Sequence, residues 1–181
     1  LLLSSSTVPK ILAVAFTAYH FVFAVTNPLE GKIIALDAGH GGTELGAQYP
    51  ANCANDGDES DCLAYEKDMN LDVVYAIKAK LEAQNAFVVL SRVGDQTLPN
   101  RKNRVDSVVQ KCAQLYFNSD GVADNKKCDA LVSVHHNGNT DPNHNGTLTI
   151  YTQNSDKPLA RSMLDSLVNL TGISEGMLNG G

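Results

Sequence analysis

The chain has 181 residues, 43% of them hydrophobic and 19% charged, which is enough for one domain with a substantial core. Twenty acidic against fourteen basic residues leave a formal net charge of −6. No basic block offsets that charge, which argues against nucleic acid as the main partner. No heptad run, internal repeat or low-complexity tract occurs.

In chain order, residues 11–25 are almost continuously apolar, with Lys10 the only preceding charge. That length suits the core of an export signal and is short for a membrane span. Residues 1–31 are therefore expected to be signal and junction, leaving no stable membrane anchor once removed. A buried helix or strand is the alternative. The folded domain is expected from residue 32 to residue 181. Four cysteines fit an exported protein. They allow three pairings. The local one, Cys53–Cys62 with Cys112–Cys128, is expected because each bond staples one polar loop.

Lys32–Asp37 is a short apolar run closed by glycines and reads as a buried strand. Residues 41–65 read as a long polar loop. Leu71, Val74, Ile77 and Leu81 recur at helical spacing, predicting a helix over 66–84. Phe87–Arg92 reads as a second strand. Val105, Val108, Val109 and Cys112 predict a helix over 99–114. Ala130–His135 and Thr147–Thr152 read as further strands. A last helix is predicted from Lys157 to Leu170, capped by Ser155 or Asp156, with Pro158 in its first turn and Gly172 as its stop. Leu159, Met163, Leu164, Leu167 and Leu170 form its expected inner face. The remaining residues read as a Gly/Ser/Asn-rich tail. Alternating strands and helices give an α/β class with a largely parallel or mixed sheet.

Three segments carry candidate chemistry. Asp37-Ala38-Gly39-His40-Gly41-Gly42 ends the first strand, Glu66-Lys67-Asp68 opens the first helix, and Ser133-Val134-His135-His136-Asn137 ends the third strand. Sites on open α/β sheets gather at the carboxyl ends of strands. Two imidazoles and a carboxylate there make a zinc site with one position open to water. A first-turn charge favoured by the helix dipole is the alternative for Glu66, and the simpler reading of Asp68. His135 and His136 point oppositely along a strand, and the pattern does not say which faces the metal. His144 and His20 need no function. Asp37 is expected to hydrogen-bond a ligand imidazole or order the glycine loop, with a strand-end cap as the alternative. Arg92 and Arg104 suit pairing within the domain better than substrate carboxylates.

From Lys32 onward the chain resembles the zinc-dependent N-acetylmuramoyl-L-alanine amidases of the type 3 group. The likeness rests on Ile34–Gly42, Gly46-Ala47, Glu66–Leu71, Val88–Arg92, Arg104-Val105, Ser133–Asn137 and Gly146, in that order. The resemblance implies a three-layer α/β/α sandwich around a mixed, mostly parallel sheet. It implies Zn2+ held by His40, Glu66 and His135, the first histidine of its pair. It implies hydrolysis of the amide between N-acetylmuramic acid and L-alanine of peptidoglycan, by a secreted, periplasmic or wall-associated enzyme. The loops at 50–63 and 113–127 look longer than the family's. The family's catalytic Glu lies in a Val-Glu-x-Gly-Phe-like segment on a late strand, and no such segment occurs here. No catalytic base is therefore assigned. It is expected beyond Gly181 with the last strand or strands, and Glu175 does not match the motif. An inactive wall-binding module and a zinc carboxypeptidase-like peptidase are the alternatives.

Overall fold

A computed structural model describes residues 27–53, 60–98, 100–115, 128–136, 138 and 146–180. The expected signal core, His20, Pro99, Asn137, His144 and most of the 113–127 loop lie outside the described residues.

The element order is β1 (Ile33–Ala38), β2 (Gln48–Tyr49), β3 (Ala64–Tyr65), α1 (Glu66–Glu82), β4 (Phe87–Leu90), α2 (Arg101–Leu115), β5 (Ala130–Val134), β6 (Thr147–Tyr151), α3 (Lys157–Thr171) and β7 (Ser174–Asn179). β1 is the centre of a parallel sheet ordered β4-β1-β5. All six of its residues are buried, because strands flank it on both edges and helices cover both faces.

Alternation along β1 sorts two cores. Ile34, Leu36 and Ala38 pack with Val74 of α1 and Leu90 of β4, joined by half-buried Leu71, Ile77 and Leu81. Ile33 and Ala35 pack on the other face with Val89 and with Val108 and Cys112 of α2. This is the α/β/α layering the resemblance implied. Cys112 and Cys128 are disulfide-bonded, with Cα atoms 5.3 Å apart, tying α2 to the start of β5. There the Asp129 carboxylate accepts from the Ile33 amide at 2.8 Å and pairs with Lys32 at 3.0 Å. Cys53–Cys62 forms too, so the local pairing stands.

Four sequence expectations need correction. The 41–65 stretch is not all loop: β2 and β3 pair antiparallel, Gln48 with Tyr65 and Tyr49 with Ala64. Two-residue strands carry too short a pattern to be read. The expected tail contains β7, which pairs parallel with β6. Its Ser-Glu-Gly-Met-Leu-Asn sequence lacks β-branched residues, so backbone pairing rather than propensity makes it a strand. On α3, Ala160 and Leu164 are the buried residues, while Leu159, Leu167 and Leu170 are exposed. Among the described residues that helix packs chiefly on β6 and β7, and two narrow strands cover only a thin stripe of it. Gly172 ends it as expected, in the left-handed region at φ 76°. Asp156 occupies the N-cap position, but its side chain meets Thr152 and Ser155 hydroxyls instead of capping the helix.

Among the described residues, β6 and β7 form their own two-stranded sheet. No described helix is long and apolar enough to cross a membrane.

Candidate metal centre

Because β1, β4 and β5 are parallel, their carboxyl ends share one edge, and α1 starts there. Tyr65 is still extended and Glu66 is the first residue of α1. The chain therefore delivers the Glu66 carboxylate from a helix start to the ends of β1 and β5. Ligand atoms of His40, Glu66 and His135 all lie within 4.8 Å of one another.

Glu66 sits between the two rings. Its Oε2 is 3.2 Å from His40 Nε2, and its Oε1 is 3.0 Å from His135 Nδ1. The rings lie edge to face, with centroids 5.0 Å apart. Glu66 is buried, whereas the His135 side chain is 41% exposed, so the triad opens to solvent on the imidazole side. Burial alone would raise the Glu66 carboxyl. Hydrogen bonds from His135, the Ala47 amide and Asn70, with the nearby His40, outweigh it and hold the pKa at about 2.

The backbone around the triad is shaped for close approach. His40 is left-handed, at φ 60°, which is uncommon for a non-glycine and is held by its surroundings. A Cβ on Gly39 would stand 2.3 Å from the His135 ring. One on Gly46 would stand 2.7 Å from both Glu66 Oε2 and the His40 ring. These two glycines are needed for the site to close up.

Residues that spacing alone did not single out hold it in place. Asn70, fully buried one turn after Glu66, donates to the Gly39 carbonyl at 3.0 Å and to Glu66 Oε1 at 3.3 Å. Its Oδ1 is 2.7 Å from His136 Nδ1. A carboxamide oxygen only accepts, so that ring carries its proton on Nδ1. The His136 amide also donates to Glu66 Oε1 at 3.0 Å. His136 therefore braces the site from behind while His135 faces it. The Lys67 ammonium donates to the Gly42 carbonyl at 3.0 Å and pairs with Asp95 at 2.7 Å. Asp95 in turn accepts from the Gly42 amide at 2.5 Å. The one signal the sequence carried was for Asn70, by helical phase: it lies four residues beyond Glu66, on its face of α1.

Arg92 is buried at the end of β4 and donates to the carbonyls of Ala38, Gly39, Lys67 and Gly94. It clamps the His40 loop to the first turn of α1, a role within the domain as expected. Asp37 does not touch an imidazole. Strand alternation turns it to the α2 face, where its Oδ2 accepts from Ser133 Oγ at 2.7 Å and its Oδ1 lies 3.4 Å from Arg104 Nε. The expected contact with the triad is corrected on that ground. Asp68 is exposed on α1. Glu175 lies in β7 and accepts from the Gly146 amide at 3.0 Å.

A cleft of about 380 Å³ opens onto the triad, lined by His40, Glu66, Gly46, Ala47, Gln48, Ala51, Asn52 and Gly138. Among the described residues lining it, Glu66 is the only carboxylate. Two imidazoles and an ionised carboxylate, within one ion's reach and walled by glycines, fit a borderline-soft divalent cation such as zinc. Cys53, Asp61 and Cys62 also cluster, but both sulfurs are spent in the disulfide.

Comparisons with known proteins agree with the fold. Residues 34–180 match the sequence family described as N-acetylmuramoyl-L-alanine amidase. Over 147 residues the chain is 27% identical to the probable cell wall amidase LytH of Staphylococcus aureus, which covers 81% of this chain and 40% of that protein. The chain thus spans about two fifths of the length of the curated relatives it matches. The catalytic domain of CwlV, an N-acetylmuramoyl-L-alanine amidase from Bacillus (Paenibacillus) polymyxa, superposes with a TM-score of 0.62 at 26% identity, covering 83% of this chain and 70% of that one. The amidase AmiC2 of Nostoc punctiforme shares the fold, with a TM-score of 0.61 at 24% identity over 83% and 71% of the two chains.

Proposed function

The chain belongs to the N-acetylmuramoyl-L-alanine amidase family, and on that premise we propose that it is a zinc-dependent hydrolase of the amide joining N-acetylmuramic acid to L-alanine in peptidoglycan. The observation that carries this reading is the convergence of His40, Glu66 and His135 on one open-sided point. We take these three as the zinc ligands, contributing two neutral nitrogens and one carboxylate oxygen. A zinc ion held there would supply Lewis-acid chemistry, polarising the scissile carbonyl and lowering the pKa of a water.

The chain's own residues do the rest. Asn70 and the His136 amide keep the Glu66 carboxylate turned toward the two imidazoles. Glu66 stays ionised across the working pH range, so the triad offers negative charge to a cation without first losing a proton. The cleft wall at Gly46–Gln48 and Ala51–Asn52 is uncharged and receives the amide and its flanking sugar and peptide. The proton carrier is a separate matter. Glu66 is engaged on both oxygens, and no other carboxylate is among the described cleft residues. We propose that the chain binds metal and substrate at this cleft. Two disulfides and the wall substrate fit action outside the cytoplasm.

The test pairs metal content with product chemistry. Purified protein should hold zinc by elemental analysis, and His135→Ala should not. Incubation with soluble muropeptides should expose new amino groups on L-alanine. Release of free terminal amino acids instead would establish a carboxypeptidase. Retention on peptidoglycan with no turnover would leave a wall-binding module.

A further inference from the structure

Gly46, Ala47, Gln48, Ala51 and Asn52 form one wall of the cleft. That wall is mechanically linked to the triad. The Ala47 amide donates to Glu66 Oε2 at 2.9 Å, and the Glu66 amide donates to the Ala47 carbonyl at 2.8 Å. Yet little secondary structure supports it. The β2–β3 pairing is two residues long in each strand, and an isolated pair of that size is not stable in water. Asn52 sits in the left-handed region at φ 65°, a conformation that persists in a non-glycine only where its surroundings impose it. The Cys53 amide donates to the Pro50 carbonyl at 3.2 Å, and the Leu63 amide to the Tyr49 carbonyl at 2.8 Å. A further constraint is covalent: Cys53, next to Asn52, is bonded to Cys62, two residues before β3.

The other disulfide has a different setting. Cys112 is fully buried in the α2-side core, and neither Cys112 nor Cys128 lines the cleft. Cys53 is buried while Cys62 is half-buried, so a small thiol can reach one sulfur of the cleft-side bond.

We propose that Cys53–Cys62 is a positioning crosslink that builds the substrate wall of the cleft, so that substrate binding depends on its oxidation while the fold does not. What the cleft receives rests on the amidase reading above. The chemistry balances with a dithiol as reductant. Its thiolate attacks Cys62, the S–S bond breaks, and a mixed disulfide forms. The second thiol then resolves it. Two electrons and two protons pass to the protein as two cysteine thiols, and the reductant leaves as its cyclic disulfide.

The test compares two double variants of the full chain loaded with zinc, Cys53→Ser/Cys62→Ser and Cys112→Ser/Cys128→Ser. Serine is preferred to reductant because freed Cys53 and Cys62, with Asp61, have ligand atoms within 4.8 Å of one another and would compete for zinc. The readouts are KM and kcat on a soluble muramyl peptide, melting temperature, and amide hydrogen exchange over residues 47–49 and 63–65. The cleft-side variant should raise KM about tenfold, the order expected when a few wall residues must be ordered on binding. Its kcat should change less than KM, and exchange over 47–49 should quicken. The core-side variant should lower the melting temperature more and leave KM unchanged. Wild-type KM and wild-type exchange in the cleft-side variant would overturn the proposal. Equal KM changes in both variants would also overturn it. If the wild type cleaves no muramyl amide, the amidase reading fails, and hydrogen exchange alone decides the crosslink. If the serine pair does not fold, zinc-free wild type under mild dithiothreitol, with freed thiols mapped by mass, gives the same exchange comparison.

Discussion

Asp37 and Glu66 are both carboxylates taken out of water, 3% and 5% exposed, and they have opposite uses. Asp37 faces α2, where its partners are the Ser133 hydroxyl and the buried Arg104. Glu66 faces the open end of the sheet, and beside the amides that hold it in place it meets two imidazoles, one of them on an exposed side chain. An acid whose partners are all fixed donors or a permanent cation is committed to the fold. An acid that also faces side chains with lone pairs of their own can join them in a ligand set. Burial alone does not separate the two cases, but the identity of the partner does.

The comparison can be broken most directly at Glu66. Glu66→Ala should reduce retained zinc from near-stoichiometric to background by elemental analysis while the protein stays folded. Zinc retention in that variant would place the metal elsewhere. Asp37→Ala should do the reverse. It strands the Arg104 guanidinium in the core, which costs about 3–5 kcal/mol when a buried pair loses one partner. Urea unfolding should show that loss, with zinc content of the folded fraction unchanged. Coupled loss of zinc and stability would make the two acids one network. Asn70→Ala sharpens the comparison, since it removes the amide orienting Glu66. Zinc affinity should fall about 10–100-fold by competition with a chelator, the usual effect of losing a group that orients a ligand.

The smallest effect concerns the Lys67–Asp95 brace. The Lys67 hydrogen bond, working against a small burial penalty and aided by the Gly42 amide, lowers the Asp95 carboxyl below its ordinary range. A carboxyl depressed in the folded state adds stability above its unfolded pKa and loses it as pH falls through the folded one. Asp95→Asn should therefore lower stability slightly near neutrality and flatten the acid limb, so that the two curves converge as pH falls. The effect should stay below about 1 kcal/mol, because Asp95 is half exposed.

Strong periodicity made most elements readable. Val74 and its neighbours marked α1 at the stated spacing, and β1 with its closing glycines was legible to within one residue. The triad was also readable, because strand ends and a helix start are where α/β folds collect polar groups. Other features depended on contacts far apart in sequence. The partner of Asp37 lies on α2, and no local pattern states that Asp37 shares a face with Arg104. Asn70 reads as an ordinary polar helix residue until Gly39 and His136 are brought against it. β7 is a strand by virtue of β6, not by composition.

The left-handed backbone at His40 determines which replacement makes the cleanest inert reference protein. Glycine would relieve the strain but loosen the turn by adding unfolded-state freedom, and alanine would keep a Cβ with no polar side chain to stabilise the turn locally. Asparagine tolerates that dihedral region better than other side chains with a Cβ. His40→Asn is therefore the substitution expected to blind the centre while leaving the loop's path intact.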